Sequence, residues 1–357
     1  MTTRFAGVCR AMALSLLISS LSAFVFAADQ HDTPRFVVIP PKPAAPGTPI
    51  PDATLQTWNG SFTYNSHQYN YVMVGKDPST GQGTIVNTWL IPVKIVLSDG
   101  SVWDPLSGGP TGPVARTILS PIFDSTTNYT QGGVNVGTTQ YVDAFQRANF
   151  WSTVQNQPNY HVLLGGPTAR ITVLPELTLN VPAADGTQGN KFGHQVALVD
   201  VDWYDAQISN YMAQNNIITP AGLPIFETSS MYWTEGSCCI GGYHSANGQQ
   251  SYATFTYIPF SGVFSQDVSA LSHEVSEWMD DPLTNGGNGT PCGILEVGDP
   301  LEGTSNYGST HYVLHGFTYN LQDEVFIGYF GAPLSTSVNS WWSFQNYPFT
   351  RICQNGS

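Results

Sequence analysis

The residues best suited to chemistry lie between Ser265 and Pro282, in the stretch S-Q-D-V-S-A-L-S-H-E-V-S-E-W-M-D-D-P. The stretch predicts one helix, which Ser265 would cap and which would end at Asp281, because the residue before a proline is disfavoured in the helical conformation. His273 and Glu277 are four residues apart, so their side chains point the same way. They lie away from an apolar stripe at helical spacing, formed by Val268, Leu271, Val275, Trp278 and Met279. The helix therefore predicts an imidazole and a carboxylate side by side, opposite a core-facing stripe.

The segment H-E-V-S-E differs by one letter from H-E-x-x-H, the helix in which zinc peptidases hold zinc with two histidines. By this resemblance His273 and Glu277 are metal ligands, and Glu274 is the general base that acts on a metal-bound water. The alternative interpretation is a solvated helix face that carries a histidine and two glutamates.

A second acidic cluster, L-E-V-G-D-P, follows the helix. Glu296 lies 19 residues beyond Glu277. This spacing resembles that of zinc peptidases whose third ligand is a glutamate, with an aspartate just after it that supports the first histidine. By that resemblance Glu296 is the third ligand. Asp299 either supports the first histidine, His273, or replaces Glu296 as a ligand. Gly298 and Pro300 favour a loop, so an acidic turn without metal is the alternative.

The chemistry of this ligand set bears on the metal. One histidine and two glutamates around a divalent ion are formally neutral, which makes zinc a weaker Lewis acid than a His₂Glu site does. More carboxylate oxygen also suits Mn²⁺ or Ca²⁺. Zinc is the expected cofactor, Mn²⁺ or Ca²⁺ the alternatives. Three outcomes stay open: a slower zinc hydrolase, a different metal, or a fold that has lost catalysis.

Three other histidines are candidates for a fourth ligand: His244, His311 and His315. His311 and His315 lie in a β-type stretch, where a spacing of four places side chains on one face. A single histidine is more often an ordinary core or surface residue, and this is the alternative for each of them.

The first 27 residues predict a signal peptide, with Arg4 and Arg10 before an apolar run and small residues at the cleavage site. No later stretch is long and apolar enough to span a bilayer. We therefore expect a secreted protein, extracellular or periplasmic, without a membrane anchor after processing.

The composition is acidic and poor in charge: the formal net charge is −14, and 10% of the residues are charged. Without the predicted signal peptide the charge becomes −16, because two arginines are lost. Such a chain is not expected to bind nucleic acid or anionic lipid. The oligomeric state does not follow from the sequence.

Four cysteines remain after the predicted cleavage: Cys238, Cys239, Cys292 and Cys353. An even number in an exported protein predicts two disulfides and no free thiol. A bond between neighbouring cysteines would be strained, so each of Cys238 and Cys239 is predicted to pair with a distant partner. Free buried thiols or a soft-metal pair are the alternative.

The predicted fold class is α+β, with a Pro-rich linker at 28–55, a β-rich N-terminal region at 56–185 and a C-terminal region at 186–357. The linker is predicted to lack a core of its own, and Pro92 is predicted to interrupt the β-rich run Thr84–Leu97. The C-terminal region alternates strand, helix and strand patterns and carries the metal-site helix on a mixed sheet. Its segment T-E-G-S-C-C-I-G-G-Y-H-S is predicted as a loop.

Several segments together resemble a group of uncharacterised secreted bacterial proteins with an H-E-x-x-E-x-x-x-D-P helix. They are H-E-V-S-E-W-M-D-D-P, L-E-V-G-D-P, F-T-Y-N-L-Q-D-E-V-F, S-P-I-F and D-A-F-Q-R-A-N-F-W. The loop segment C-C-I-G-G-Y-H-S is more faintly similar to plant phosphate-induced (exordium-type) proteins. The helix resembles that of zincins, which implies a zincin-like C-terminal region, metallopeptidase chemistry and a peptide or protein substrate.

The sequence therefore predicts a secreted metal-dependent, peptidase-like hydrolase. A non-catalytic surface or wall-associated binding protein, for example for carbohydrate, is the alternative. No G-x-S-x-G elbow, glycine-rich phosphate loop or C-x-x-C pair competes with the helix.

Overall fold

The computed structural model describes residues 35–43, 53–64, 66–131, 134–165, 171–284 and 309–322, and four short stretches at 289–290, 293–294, 325–326 and 342–343. The predicted signal peptide, Glu296, Asp299, Cys292 and Cys353 lie outside these residues.

The described residues are rich in strand. The strands are β1 Arg35–Val38, β2 Thr57–Tyr64, β3 His67–Val74, β4 Thr84–Leu97, β5 Val102–Trp103, β6 Thr127–Gln131, β7 Val134–Thr139, β8 Val162–Gly165, β9 Thr172–Val173, β10 Leu177–Val181, β11 Gly186–Lys191, β12 His194–Asp200, β13 Gly222–Ser229, β14 Met231–Glu235, β15 Ser237–Asn247, β16 Gln250–Tyr257, β17 Gly289–Thr290, β18 Gly293–Ile294, β19 Ser309–Leu314, β20 Phe317–Gln322, β21 Val325–Phe326 and β22 Trp342–Ser343.

Helices are fewer. The α-helices are α1 Pro113–Ile118, α2 Tyr141–Asn149, α3 Trp151–Val154, α4 Val201–Gln214 and α5 Ser269–Asp280, and single 3₁₀ turns lie at Pro78–Thr80 and Gly109–Thr111. In the part of the chain described, no helix is long and apolar enough to cross a membrane.

One large mixed sheet organises the described residues, in the order β10-β4-β13-β16-β15-β14-β12-β11. Four more strands pair at its sides: β5, β8 and β9 with β4, and β1 with β15. β4, β13 and β16 run parallel, whereas β15 is antiparallel to β16. The α+β, β-rich class is confirmed. The predicted boundary between residues 185 and 186 falls between β10 and β11, two strands of this same sheet.

Both faces of the sheet are covered. Apolar residues of one face, including Leu90, Ile225 and Phe255, share a core with α5 and α2. Residues of the other face, including Ile91 and Phe226, share a second core with α4. Alternate residues of a strand point to opposite faces, so Leu90 and Ile91 enter different cores. A sheet buried on both sides explains why its central strands are apolar without a break.

Pro92 does not interrupt β4, contrary to the prediction. On one edge of β4, Pro92 is the last residue paired with β13. On the other edge it falls between the β9 pairs, which end at Leu90, and the β10 pairs, which begin at Val93. The missing N–H of proline therefore falls where the partner strands change.

The predicted loop T-E-G-S-C-C-I-G-G-Y-H-S is wrong, because Ser237–Asn247 forms β15, a long and almost fully buried strand of the large sheet. The predicted cysteine pairing is wrong as well. Cys238 and Cys239 are bonded to each other, across a cis peptide bond. The sequence favours distant partners, because a bond between neighbouring cysteines is strained.

Part of the predicted linker also belongs to the sheet. β1 runs parallel to β15, and Lys42 forms a further bridge with Asn247. The pairing of β15 with β14 ends at Ile240, and the pairing of β15 with β1 begins at the same residue and continues to His244.

The central helix differs from its prediction at the start and in its surroundings. α5 begins at Ser269, not at Ser265, because Ser265 and Asp267 have positive φ angles of 62° and 42°. The main-chain N–H of Asp267 donates to the carbonyl oxygen of Ile258, and the side-chain carboxylate of Asp267 accepts a hydrogen bond from the main-chain N–H of Asn320. The C-terminal end agrees with the prediction, with Asp281 as the capping residue.

Every residue of α5 is buried, including the polar face that sequence reasoning allowed to be solvated. The apolar stripe faces the core as predicted. β20, β3 and α2 pack around the rest of the helix.

Candidate metal centre

Four ionisable side chains meet between α5 and the sheet. His273, Glu274 and Glu277 come from α5, and His244 comes from β15. All four are buried, with 0 to 2% of each residue exposed. The structure thus brings together the three helix residues that the sequence selected and one of the three further histidines.

The distances within this cluster are short. His244 Nδ1 lies 3.2 Å from Glu274 Oε2 and 3.9 Å from Glu277 Oε2. His273 Nε2 lies 3.2 Å from Glu277 Oε1. Two ligand atoms of a tetrahedral zinc site, each about 2.0–2.1 Å from the ion, are about 3.3–3.4 Å apart. The observed contacts are therefore as close as the ligands of one ion would be.

Three of the residues satisfy a stricter condition. His244, Glu274 and Glu277 each offer a ligand atom, and these atoms all lie within 4.8 Å of one another. Glu274 is thus placed where it could bind an ion directly, in addition to its expected part as general base. His273 adjoins the trio through Glu277.

Burial controls the charge of His244. It lowers the pKa of the imidazole to about 3, the charge of His273 acts in the same direction, and the main chain of Asp281 acts against both. A neutral imidazole is the form that binds a metal ion.

Two carboxylates in this position need a positive charge, because a buried ionised group without compensation costs several kcal/mol. Several basic side chains have partners elsewhere: Arg35 binds Glu235, Lys42 binds Asp205, Lys94 binds Asp104 and Glu176, and Arg147 binds two carbonyl groups. A divalent cation would neutralise Glu274 and Glu277 at once. The donor set of two imidazoles and two carboxylates fits zinc, and also Mn²⁺.

Gly242 makes room for Glu274 on β15. A β-carbon at Gly242 would lie 2.8 Å from Glu274 Oε1 and 2.9 Å from its Cγ. Gly242 and His244 are two residues apart on one strand and so face the same side. One leaves space for the glutamate, and the other contacts it. The sequence contained this alternation, but the segment had been taken for a loop.

Gln322 of β20 fixes His273, and sequence reasoning missed it. Its side-chain oxygen accepts a short hydrogen bond from His273 Nδ1. With the proton on Nδ1, the His273 Nε2 atom carries the lone pair that faces Glu277, as a ligand must. The main chain of Gln322 is itself held by Ser272 Oγ at 2.9 Å and by Tyr141 Oη at 2.5 Å. The sequence had assigned this supporting part to Asp299.

The other predicted site residues divide into two groups. Glu296 and Asp299 lie outside the described residues, so their part stays a prediction. His311 and His315 are exposed on the β19–β20 hairpin, and His315 Nε2 bonds Asp124 Oδ2 at 3.0 Å.

A cleft of about 540 Å³ opens beside the N-terminal end of α5. Asp267 and Asn320 are among the residues that line it. Asn320 and Gln322 are two residues apart on β20, so the cleft adjoins the strand that positions His273. Burial raises the pKa of Asp267 to about 7.

The fold and the cluster together define a β-rich α+β protein with a buried histidine and carboxylate group that could hold a metal ion. No family model, curated protein or solved structure matches the chain.

Proposed function

We propose that this chain is a secreted metal-dependent hydrolase that cleaves peptide bonds. One observation carries the proposal: His244, His273, Glu274 and Glu277 converge in a buried cluster whose contacts match the spacing of metal ligands. Glu274 follows His273 directly along α5, and this order supports zincin-like roles, with His273 as a metal ligand and Glu274 as the general base.

In this proposal His273, Glu277 and His244 hold the ion, with Glu296 or Asp299 as a further ligand. Zinc is the first candidate, and Mn²⁺ or Ca²⁺ are the alternatives. The ion would supply positive charge that polarises the scissile carbonyl group. Glu274 takes the proton of the attacking water and passes it to the leaving amine. Gln322 keeps the His273 ring in the orientation that ligation needs.

The substrate would approach through the cleft beside Asp267 and Asn320. Its position next to β20 supports this, because the same strand holds His273 through Gln322. Peptide is proposed as the substrate class on the likeness of H-E-V-S-E to the zinc-peptidase helix, and secretion on the pattern of residues 1–27.

A non-catalytic secreted binding protein is the second candidate, and a specific observation favours it. The four site residues are at most 2% exposed, which is the environment of an ion that stabilises a fold. In that case the helix and its ion support a binding surface elsewhere, for example for carbohydrate.

The test begins with metal analysis of the purified mature protein, followed by two substitutions. Glu274→Gln is expected to retain metal and to lower hydrolysis of a casein or peptide-library substrate by about 10²–10⁴. Glu277→Gln is expected to lose metal, because an amide is a poorer ligand than a carboxylate. Glu176→Gln, a change at a glutamate that pairs with Lys94, is the matched control. It should alter neither the metal content nor the rate of hydrolysis.

The outcomes separate the candidates. A wild-type protein that holds metal but cleaves nothing from acidic to neutral pH would support the non-catalytic protein. A purified protein that holds no metal would overturn both the catalytic and the structural metal site.

A further inference from the structure

The N-terminal arm, residues 35–42, lies along β15 and makes two kinds of contact with the rest of the protein. The first kind uses the main chain. Arg35 pairs with Ile240, and Val37 and Val38 pair with Tyr243 and His244, with a shift of register between Arg35 and Val37. Lys42 then exchanges two main-chain hydrogen bonds of 2.8 Å, one with Ala246 and one with Gly248. Main-chain pairing of this kind accepts many extended sequences.

The second kind of contact is specific for lysine. Lys42 Nζ binds Oδ2 of Asp205 on α4, a carboxylate whose side chain is 2% exposed. The other carboxylate oxygen accepts hydrogen bonds from Tyr252 Oη and, at 3.3 Å, from Tyr243 Oη. Asp205, Tyr243 and Tyr252 therefore form a preformed socket for a cation, which we call the lysine socket.

The contacts of the arm are of a kind that would let another peptide replace it. Of the Lys42 side chain, 45% remains exposed although its ammonium group reaches Asp205. Val37 and Ile39 are only partly buried against the core. Arg35 pairs with Glu235 at the surface, where an ion pair contributes little. None of the arm side chains whose burial the structure describes is fully buried.

We propose that the edge of β15 and the lysine socket form a binding site for an extended peptide that carries a lysine, and that the arm occupies this site in cis. The ligand would have apolar residues at the positions of Val37 and Ile39 and a lysine at the position of Lys42. The site is an edge of the strand that carries His244, and Val38 pairs with the main chain of His244, but binding needs neither a metal ion nor catalysis. It therefore goes beyond the proposed hydrolase and stands if that proposal fails.

The experiment keeps the whole chain. A protease site is placed within residues 44–52, the protein is folded, and the arm is then cut so that non-covalent contacts alone retain it. The probe is a fluorescent peptide with the sequence R-F-V-V-I-P-P-K of residues 35–42. We expect the probe to replace the cut arm and to bind, as measured by fluorescence anisotropy.

Two changes test the socket. A probe with methionine in place of lysine is expected to bind at least about tenfold more weakly, because it loses a charge-assisted hydrogen bond. Asp205→Asn in the protein should weaken binding of the lysine probe similarly and bring the two probes close in affinity. Glu235→Gln is the matched control, since it removes a surface partner of the arm.

Three results would overturn the proposal. The cut protein could remain folded by near-ultraviolet circular dichroism and bind no probe. The lysine probe and the methionine probe could bind equally well to the cut protein that retains Asp205. The folded signal could be lost once the arm leaves, which would make the arm a part of the core and not an exchangeable ligand.

Discussion

Gly242 of β15 lies so close to Glu274 of α5 that a single β-carbon at Gly242 would come within 2.8 Å of Glu274 Oε1. The carbonyl oxygen of Thr254 lies 3.2 Å from the same point. Glu274, the proposed general base, is thus accommodated by the absence of a side chain on the strand beneath it.

Gly242→Ala should therefore lower the free energy of unfolding by about 1–3 kcal/mol, as overpacking of a core does, and weaken metal binding. Urea denaturation and a metal titration measure the two effects. In a double-mutant cycle, Gly242→Ala should cost less in a Glu274→Ala background, because the contact with Glu274 is gone. An equal cost in both backgrounds would show that Glu274 is not what the added methyl group meets.

Removal of metal should destabilise the protein. Without the ion, the carboxylates of Glu274 and Glu277 lose their compensating charge in a buried site. Free metal at about 100 times its Kd is expected to contribute about 2.7 kcal/mol to stability. Thermal unfolding before and after treatment with a chelator, and after addition of Zn²⁺, Mn²⁺ or Ca²⁺, measures this. The variant His244→Ala should respond much less, and a wild-type melting curve indifferent to chelator and metal would refute the site.

Gln322→Ala should lower metal affinity by about 10–100-fold, because His273 loses the hydrogen bond that orients its ring. A competition titration with a chromophoric chelator measures the affinity. Gln155→Ala removes an exposed glutamine and serves as the control. The conservative variant Gln322→Asn, whose shorter side chain does not reach as far, should not restore affinity. Unchanged affinity in Gln322→Ala would mean that another group orients His273.

The contribution of Asp267 to the stability of the protein should fall as pH rises toward neutrality. Burial raises the pKa of Asp267 to about 7 from an ordinary value of 3.8, while hydrogen bonds from Asn320 and Val268 act against burial. Between these values the folded protein keeps a proton that the unfolded chain has lost. The stabilising contribution is therefore present at low pH and is lost as pH rises through about 7.

Urea denaturation at about pH 5 and about pH 8 measures this dependence. Asp267→Asn should reduce the difference between the two pH values, although it also changes the hydrogen bonds to Asn320. Asp202→Asn, at an exposed position of α4, should leave the difference as it is. An unreduced difference in Asp267→Asn would show that other groups cause the pH dependence.

Local patterns in the sequence determined much of the element content. The periodicity of α5 and its stop before Pro282 predicted the apolar stripe and the C-terminal end. The predicted β-rich region at 56–185 agrees with the strands β2 to β10 that the structure describes there. These features depend on neighbours within a few residues, which a sequence displays directly. For the same reason His273, Glu274 and Glu277 could be selected as one group.

The tertiary structure decided what depends on distant partners. The sequence predicts a loop where β15 lies, because glycines are poor strand formers. Pairing with β1, β14 and β16 and burial on both faces outweigh that local preference. Gln322 reaches His273 only because β20 packs on α5. The burial of all of α5 also depends on the surrounding chain. A sequence shows which side chains can share a face, but which faces meet is decided by the packing of the whole sheet.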